Sequence, residues 1–262
     1  MATEKRERQR ANRQLRNEQD VRVDRRRTRT RRIVIGAVAV VGGVAVVLLL
    51  AWLVNRGGDD DTPPATTTTV PAAGFTYGTG ECPPEEVAEP VTSFAAAPQL
   101  CIDPAATYSA RFVTDRGDIV VELDAAEVPG TVNNFVTLAR YGYYDETLLF
   151  RTNTSIGIVQ GGGQDNLASP GYEIPDEEDG FTYTAGLLAM ARTQAPNSAG
   201  GQWFFTVNDA AAALDAQGTY VVFGQVTEGL DVLEDVLALA GSDGDTPTED
   251  VVLETVEITE SP

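Results

Sequence analysis

The sequence predicts a mostly β fold, an antiparallel barrel or sandwich with two α-helices, carried behind one transmembrane helix and a disordered linker. Three observations predict it. From Tyr108 onward about eight short runs of alternating or continuous apolar residues follow one another closely. Only two stretches in that part have helical spacing, too few to cross over between parallel strands. Far upstream, residues 33–54 form 22 positions with no charge and no strongly polar group.

Taken in order, residues 1–32 are a basic arm. They hold Lys5 and twelve arginines against five acids, a balance of about +8. Residues 33–54 rise roughly 33 Å as a helix at about 1.5 Å per residue, enough to cross a bilayer's hydrocarbon core. The run exceeds a usual signal-peptide core and no small-x-small site follows it, so it reads as an uncleaved anchor. Arg25, Arg26, Arg27, Arg29, Arg31 and Arg32 crowd its N-terminal end and only Arg56 flanks the other. The N-terminus is thus expected in the cytoplasm and the rest of the chain outside the cell membrane. The arm's charge fits anionic lipid, and no nucleic-acid partner is expected. Beyond residue 32 only six basic residues face 34 acidic ones, for a net charge of −20 overall.

Residues 55–104 read as a linker rich in Pro, Thr and Gly. They contain the chain's two cysteines, Cys82 and Cys101, which would pair in an oxidising space; a two-cysteine metal site and two free thiols are the other readings. The chain has no histidine. That excludes Ser-His and Cys-His nucleophile pairs, a histidine general base and histidine-ligated metals. No glycine-rich phosphate loop sits between a strand and a helix. Neither a metal nor a cofactor is expected.

In residues 105–262, Tyr108 to Thr114 and Asp118 to Leu123 read as a hairpin around Asp115-Arg116-Gly117. Pro129 opens a helix that Gly142 stops. Leu148-Leu149-Phe150 and Ile156 to Gln160 are strand-like, and an acidic loop follows, Tyr172 to Gly180. Leu187 to Val207 reads as strand, loop and strand, with the amide of Gln202 set beside Trp203, Phe204 and Phe205. Tyr220 to Val226 is a strand. A second helix is expected over Thr227 to Ala240, with Thr227 as N-cap and Gly241 as stop. The strictly alternating Val251 to Ile258 completes the domain.

Several motifs in this order resemble the cyclophilin-type peptidyl-prolyl cis-trans isomerases. They are Val128-Pro129-Gly130-Thr131-Val132-Asn133-Asn134-Phe135, Gly142-Tyr143-Tyr144-Asp145, Phe150 with Gln160-Gly161-Gly162 ten residues on, and Gly186 to Ala191. Pro196-Asn197, Gly201 to Phe205 and Tyr220 to Val226 continue the match. The resemblance implies an eight-stranded antiparallel closed β-barrel capped by two α-helices. It also implies a groove for X-Pro-containing polypeptides and catalysed rotation of the X-Pro bond; taken with the anchor, this leads to the expectation of a protein that assists folding of extracytoplasmic proteins.

Position by position, the resemblance makes Phe204 the floor under the proline ring, with Ile158 and Leu214 beside it. Gln160 and Gln202 become the two amides of the groove, Ala191 and Arg192 the pair along the peptide backbone, and Tyr220 an aromatic wall. The family's catalytic arginine belongs two residues after Phe150, where this chain has Thr152. An aromatic expected three residues before Gln160 is Gly157, and Ser155-Ile156 replace a Pro-Gly pair. Arg151 and Arg192 are the candidate substitutes. Of these, Arg192 is favoured, because a one-residue shift along a regular strand would turn Arg151 to the opposite face. Without either arginine, a weak or inactive peptide-binding module is the alternative.

Overall fold

The computed structural model describes residues 75–178 and 180–262. The expected cytoplasmic arm (1–32), transmembrane helix (33–54) and first part of the linker (55–74) lie outside the described residues. Among the described residues, no helix is long and apolar enough to cross a membrane.

The first two strands, β1 (Thr107–Thr114) and β2 (Gly117–Leu123), pair antiparallel through a two-residue turn, Asp115-Arg116. Their alternation buries Tyr108, Ala110 and Phe112 with Ile119, Val121 and Leu123 on one face. The first helix, α1 (Pro129–Arg140), starts at a proline whose missing N–H costs nothing there. The chain then forms β3 (Thr147–Leu148), β4 (Arg151–Asn153), β5 (Ile158–Gly161), β6 (Leu187–Met190) and β7 (Trp203–Thr206). A 3-10 helix (Asp209–Leu214), β8 (Val222–Glu228), α2 (Leu230–Leu237) and β9 (Val252–Ser261) complete it.

The strands make one nine-stranded antiparallel sheet in the order β3-β9-β1-β2-β8-β6-β7-β5-β4. The expected count of eight is corrected: of the strand anticipated at Leu148 to Phe150 only Leu148 stays in a ladder, as part of β3, and β4 (Arg151–Asn153) is an additional short strand that was not anticipated. The sheet is a half-barrel: its two ends are not joined by a ladder. A single antiparallel bridge, Leu148 with Gly163, spans the gap there. Its inner face is packed by Phe112, Phe135, Trp203, Phe205 and Phe223, with neighbouring ring centroids 5.0–5.7 Å apart.

The second helix is shorter than expected. Thr227 and Glu228 still belong to β8, and the N-cap is Gly229 at φ +85°. A Cβ there would stand 2.3 Å from the Asp118 carbonyl oxygen, so the turn out of the strand needs glycine and not a capping threonine.

The stretch read as linker is part of the fold from Phe75 on. Cys82 and Cys101 form a disulfide, with Cα atoms 5.4 Å apart. The strap they clip lies on α1: the Cys101 N–H donates to Asn133 Oδ1 (2.7 Å) and Asn133 Nδ2 donates to the Gln99 carbonyl (2.9 Å). That contact explains why residues 130–139 of α1 are all buried although Thr131, Asn133, Asn134 and Thr137 are polar. One side of the helix faces the sheet and the other is covered by strap and loops. Glu177 caps α1 by accepting from the N–H groups of Gly130 (2.9 Å) and Thr131 (2.5 Å), where a carboxylate also suits the helix dipole.

Candidate active site

Strand alternation builds the site. In β7, Trp203 and Phe205 enter the main core while Phe204 points the other way. There it joins Ile158, Tyr183, Ala189, Ala211 and Leu214 in a second, smaller apolar cluster. Register sets the neighbours: Gln160 lies directly opposite Phe204, and Ala189 faces Phe204 from the other side. Above this floor is a groove of about 410 Å³, a size that suits a small ligand or a few residues of peptide.

All nine residues expected at the site line this groove: Arg151, Ile158, Gln160, Ala191, Arg192, Gln202, Phe204, Leu214 and Tyr220. Tyr220 stands edge-on to Phe204, with centroids 5.4 Å apart and planes at 87°. The Ala191 N–H donates to the Gln202 carbonyl at 3.0 Å, which ties the two walls together.

A directed chain of hydrogen bonds runs along one wall. Arg151 Nε donates to Asp245 Oδ1 (2.8 Å) and Arg151 Nη1 to Gln160 Oε1 (3.1 Å). Gln160 Nε2 donates to Gln202 Oε1 (2.9 Å), and Gln202 Nε2 to the Ala168 carbonyl (2.9 Å). Each link fixes which end of the next amide is donor and which acceptor, so the wall is organised before any ligand arrives. Arg151 Nη2, like Arg192 Nη2, donates no hydrogen bond among the described residues.

This geometry corrects the reading of the arginine. Arg151 pairs in register with Gln160, Thr152 with Val159 and Asn153 with Ile158, with no bulge. Arg151 therefore shares a face with Gln160, and Thr152 points into the core, fully buried. The spacing from Phe150 matches Thr152 to the arginine, and the parity of a regular strand then turns Arg151 to the opposite face, but Phe150 is outside the ladder and the chain is not a regular strand there. Parity is set instead across residues 154–157, the turn joining β4 to β5.

Arg192 lines the groove too, but its bonds go to backbone carbonyls of loops and not to the amides. Its Nε donates to the Thr219 carbonyl (3.0 Å) and its Nη1 to the Ala195 carbonyl (2.7 Å), while Asp176 Oδ1 lies 3.6 Å from Nε. With a side chain only 9% exposed, it fastens three loops at the far end of the groove. Gly157 stands at a tight turn where the resemblance places an aromatic. It has φ +56°, and a Cβ there would stand 2.3 Å from Asn208 Oδ1, so the turn requires glycine; its neighbour Ile156 lines the groove and packs against the floor.

Four contributors were not expected. Besides Ile156, Asn166 reaches the amides, with its Oδ1 3.5 Å from Gln160 Nε2. Tyr183 fixes the Tyr220 backbone, its hydroxyl donating to the Tyr220 carbonyl and accepting from the Tyr220 N–H, both at 2.9 Å. Burial pushes the Tyr183 phenol up to about 12, so it remains a donor across the physiological range. Asp245 lies 94 positions from Arg151, and no motif in the sequence marks it. Among the described residues, no group of three or more His, Cys, Asp or Glu side chains could hold a metal.

The model of the cyclophilin type peptidyl-prolyl cis-trans isomerase/CLD family matches residues 109–258. Peptidyl-prolyl cis-trans isomerase B of Escherichia coli (strain K12) is 35% identical over 162 residues, covering 57% of this chain and 98% of that protein. Peptidyl-prolyl cis-trans isomerase cyp18 of Streptomyces antibioticus is 38% identical over 161 residues, covering 55% and 95%. A crystal structure of a Cryptosporidium parvum cyclophilin type peptidyl-prolyl cis-trans isomerase superposes with TM-score 0.52 at 27% identity, covering 60% of this chain and 99% of that one. The same isomerase in the presence of the dipeptide Ala-Pro superposes with TM-score 0.51 at 27% identity, covering 58% and 99%.

Proposed function

The chain belongs to the cyclophilin-type peptidyl-prolyl cis-trans isomerases and is an isomerase, and from that premise we propose that it turns X-Pro bonds in the groove above Phe204, with Arg151 as the catalytic donor. The barrier to rotating a peptide bond is about 18–20 kcal/mol because rotation breaks amide resonance. No nucleophile is needed. The proline nitrogen regains its lone pair as the amide twists, and a donor aimed at it stabilises the twisted form more than the planar one. Phe204, Ile158, Leu214 and Tyr220 hold the ring, while Gln160, Gln202 and the Ala191 backbone hold the flanking peptide. The observation that carries this reading is Arg151 beside Gln160, bonded at 3.1 Å on the groove face.

The substrates are X-Pro-containing polypeptides, and the site lies outside the cell, tethered to the lipid bilayer by residues 33–54. The uncharged length of that segment, the arginines before it and the Cys82–Cys101 disulfide support the placement. Assistance to the folding of extracytoplasmic proteins follows from that location. In sealed right-side-out vesicles an added protease should remove the domain and spare the basic arm; the opposite protection pattern refutes the topology. For the activity, two-dimensional NMR exchange on an X-Pro tetrapeptide should show cis-trans exchange accelerated by the full chain and slowed again in Phe204→Ala. Exchange at the uncatalysed rate with the folded wild-type chain would refute it.

A further inference from the structure

The connection between α2 and β9 reaches the groove through one side chain. Asp245 Oδ1 accepts from Arg151 Nε at 2.8 Å and also from Asn153 Nδ2 at 2.7 Å. The same loop holds the outer edge of β4 by its backbone: the Thr152 N–H donates to the Asp245 carbonyl (2.8 Å) and the Thr154 N–H to the Gly244 carbonyl (3.3 Å). The loop is itself braced, since Asp243 Oδ1 accepts from the N–H groups of Asp245 and Thr246, both at 3.0 Å. Gly241 N–H donates to the Thr246 carbonyl at 2.7 Å. Asp245 is thus a fixed acceptor on a rigid turn, placed across β4 from the amides.

We propose that Asp245 is a positioning residue for the isomerisation, holding the Arg151 guanidinium against Gln160 at the groove wall. Arg151 is a long side chain with four rotatable bonds and is one-third exposed, so Gln160 alone would fix one nitrogen and leave the plane free to turn. Two bonds, at Nε and Nη1, define the guanidinium plane and hold the cation in one place at the groove wall. Through Asn153 the same carboxylate steadies the next turn as well: Asn153 Oδ1 accepts from the N–H groups of Ser155 (3.0 Å) and Ile156 (3.2 Å), and Ile156 lines the groove. The proposal rests on the reading of Arg151 as catalytic donor.

A double-mutant cycle tests it. Asp245→Ala, Asp245→Asn, Arg151→Ala and the Asp245→Ala/Arg151→Ala pair are made in the full-length chain in mild detergent, and kcat and KM are measured on an X-Pro peptide. Because misaiming a catalytic group costs rate more than affinity, Asp245→Ala should lower kcat about tenfold with KM within about twofold. Asp245→Asn, which keeps an acceptor for Nε, should recover most of the loss and also serves if the alanine variant folds poorly. In the Arg151→Ala background the same change should do nothing further. Three results overturn the proposal. If Arg151→Ala slows kcat and neither Asp245 variant does, Asp245 does not position the arginine. If Asp245→Ala costs the same with and without Arg151, its role is structural. If Arg151→Ala leaves kcat untouched, the assignment of the donor fails first and Asp245 has nothing to position.

Discussion

Thr152→Arg would put the family's arginine at the place the spacing from Phe150 assigns to it, and the structure predicts that this damages the protein. Thr152 is fully buried, it is paired across from Val159, which is also fully buried, and its hydroxyl has no hydrogen-bond partner. An arginine there forces extra volume into a packed core, about 1–3 kcal/mol. It also buries a guanidinium with no partner, which costs several kcal/mol more even after relaxation. The sum, roughly 4 kcal/mol or above, is a large part of the 5–15 kcal/mol that typically holds a domain together. Urea unfolding of Thr152→Arg should show a strongly lowered midpoint or an insoluble chain, with no gain in isomerase rate per folded molecule. Thr152→Val, which removes only the unpartnered hydroxyl, should be stabilising by about 1 kcal/mol, or roughly 2–4 °C in Tm. A soluble Thr152→Arg protein with wild-type stability and faster isomerisation would refute the register and restore Thr152 to the site.

Two further predictions concern the strap and the loop behind Arg151. Replacing Cys82 and Cys101 by Ala reopens a loop of sequence separation 19 and should lower stability by about 3 kcal/mol in the chain-entropy model, read as a drop in urea midpoint that dithiothreitol reproduces on the wild type. Backbone hydrogen bonds from Thr246 and Asp245 hold the Asp243 carboxyl down to about 2. A depressed carboxyl contributes stability that is present above its unfolded value of 3.8 and is lost as pH falls through the folded value. Wild type should therefore exceed Asp243→Asn in Tm by a constant amount above about pH 4, and the gap should shrink toward pH 2. A gap that stays constant down to pH 2 would show that the carboxylate charge does not hold the loop.

Much of this was legible in the sequence, and the reasons differ by element. The opening of α1 could be placed because Pro129 fixes a backbone state locally, and Gly142, at φ +68° just past the helix, does the same at the other end. The groove residues were identified because strands β5 and β7 are short and regular, so Gln160 and Phe204 keep their alternation. The side facing Arg151 was not legible. Parity cannot be counted through Leu149 and Phe150, which belong to no strand, and it depends on a turn whose length is not marked by any one residue. Asp245 was hidden for another reason: its partner is distant in sequence, and a loop acidic residue looks like any other in a chain with 39 acids. The strap misled through composition. A Pro-rich segment without many large apolar residues reads as tether, whereas its order comes from one disulfide, from Phe94 among the rings of Tyr141, Tyr143 and Tyr172, and from the bonds to Asn133.

In the proposed mechanism Arg151, not Arg192, serves the twisting amide. The most direct measurement compares kcat for Arg151→Ala and Arg192→Ala by NMR exchange at saturating peptide, normalised to folded protein. Loss of one charge-assisted hydrogen bond made in the transition state is worth roughly 3 kcal/mol, so Arg151→Ala should be slower by about a hundredfold with peptide affinity nearly kept. Arg192→Ala should lose stability through its loop contacts while its folded fraction turns over at close to the wild-type rate. The reverse pattern, a catalytically silent Arg151→Ala and a slow but stable Arg192→Ala, would contradict the account.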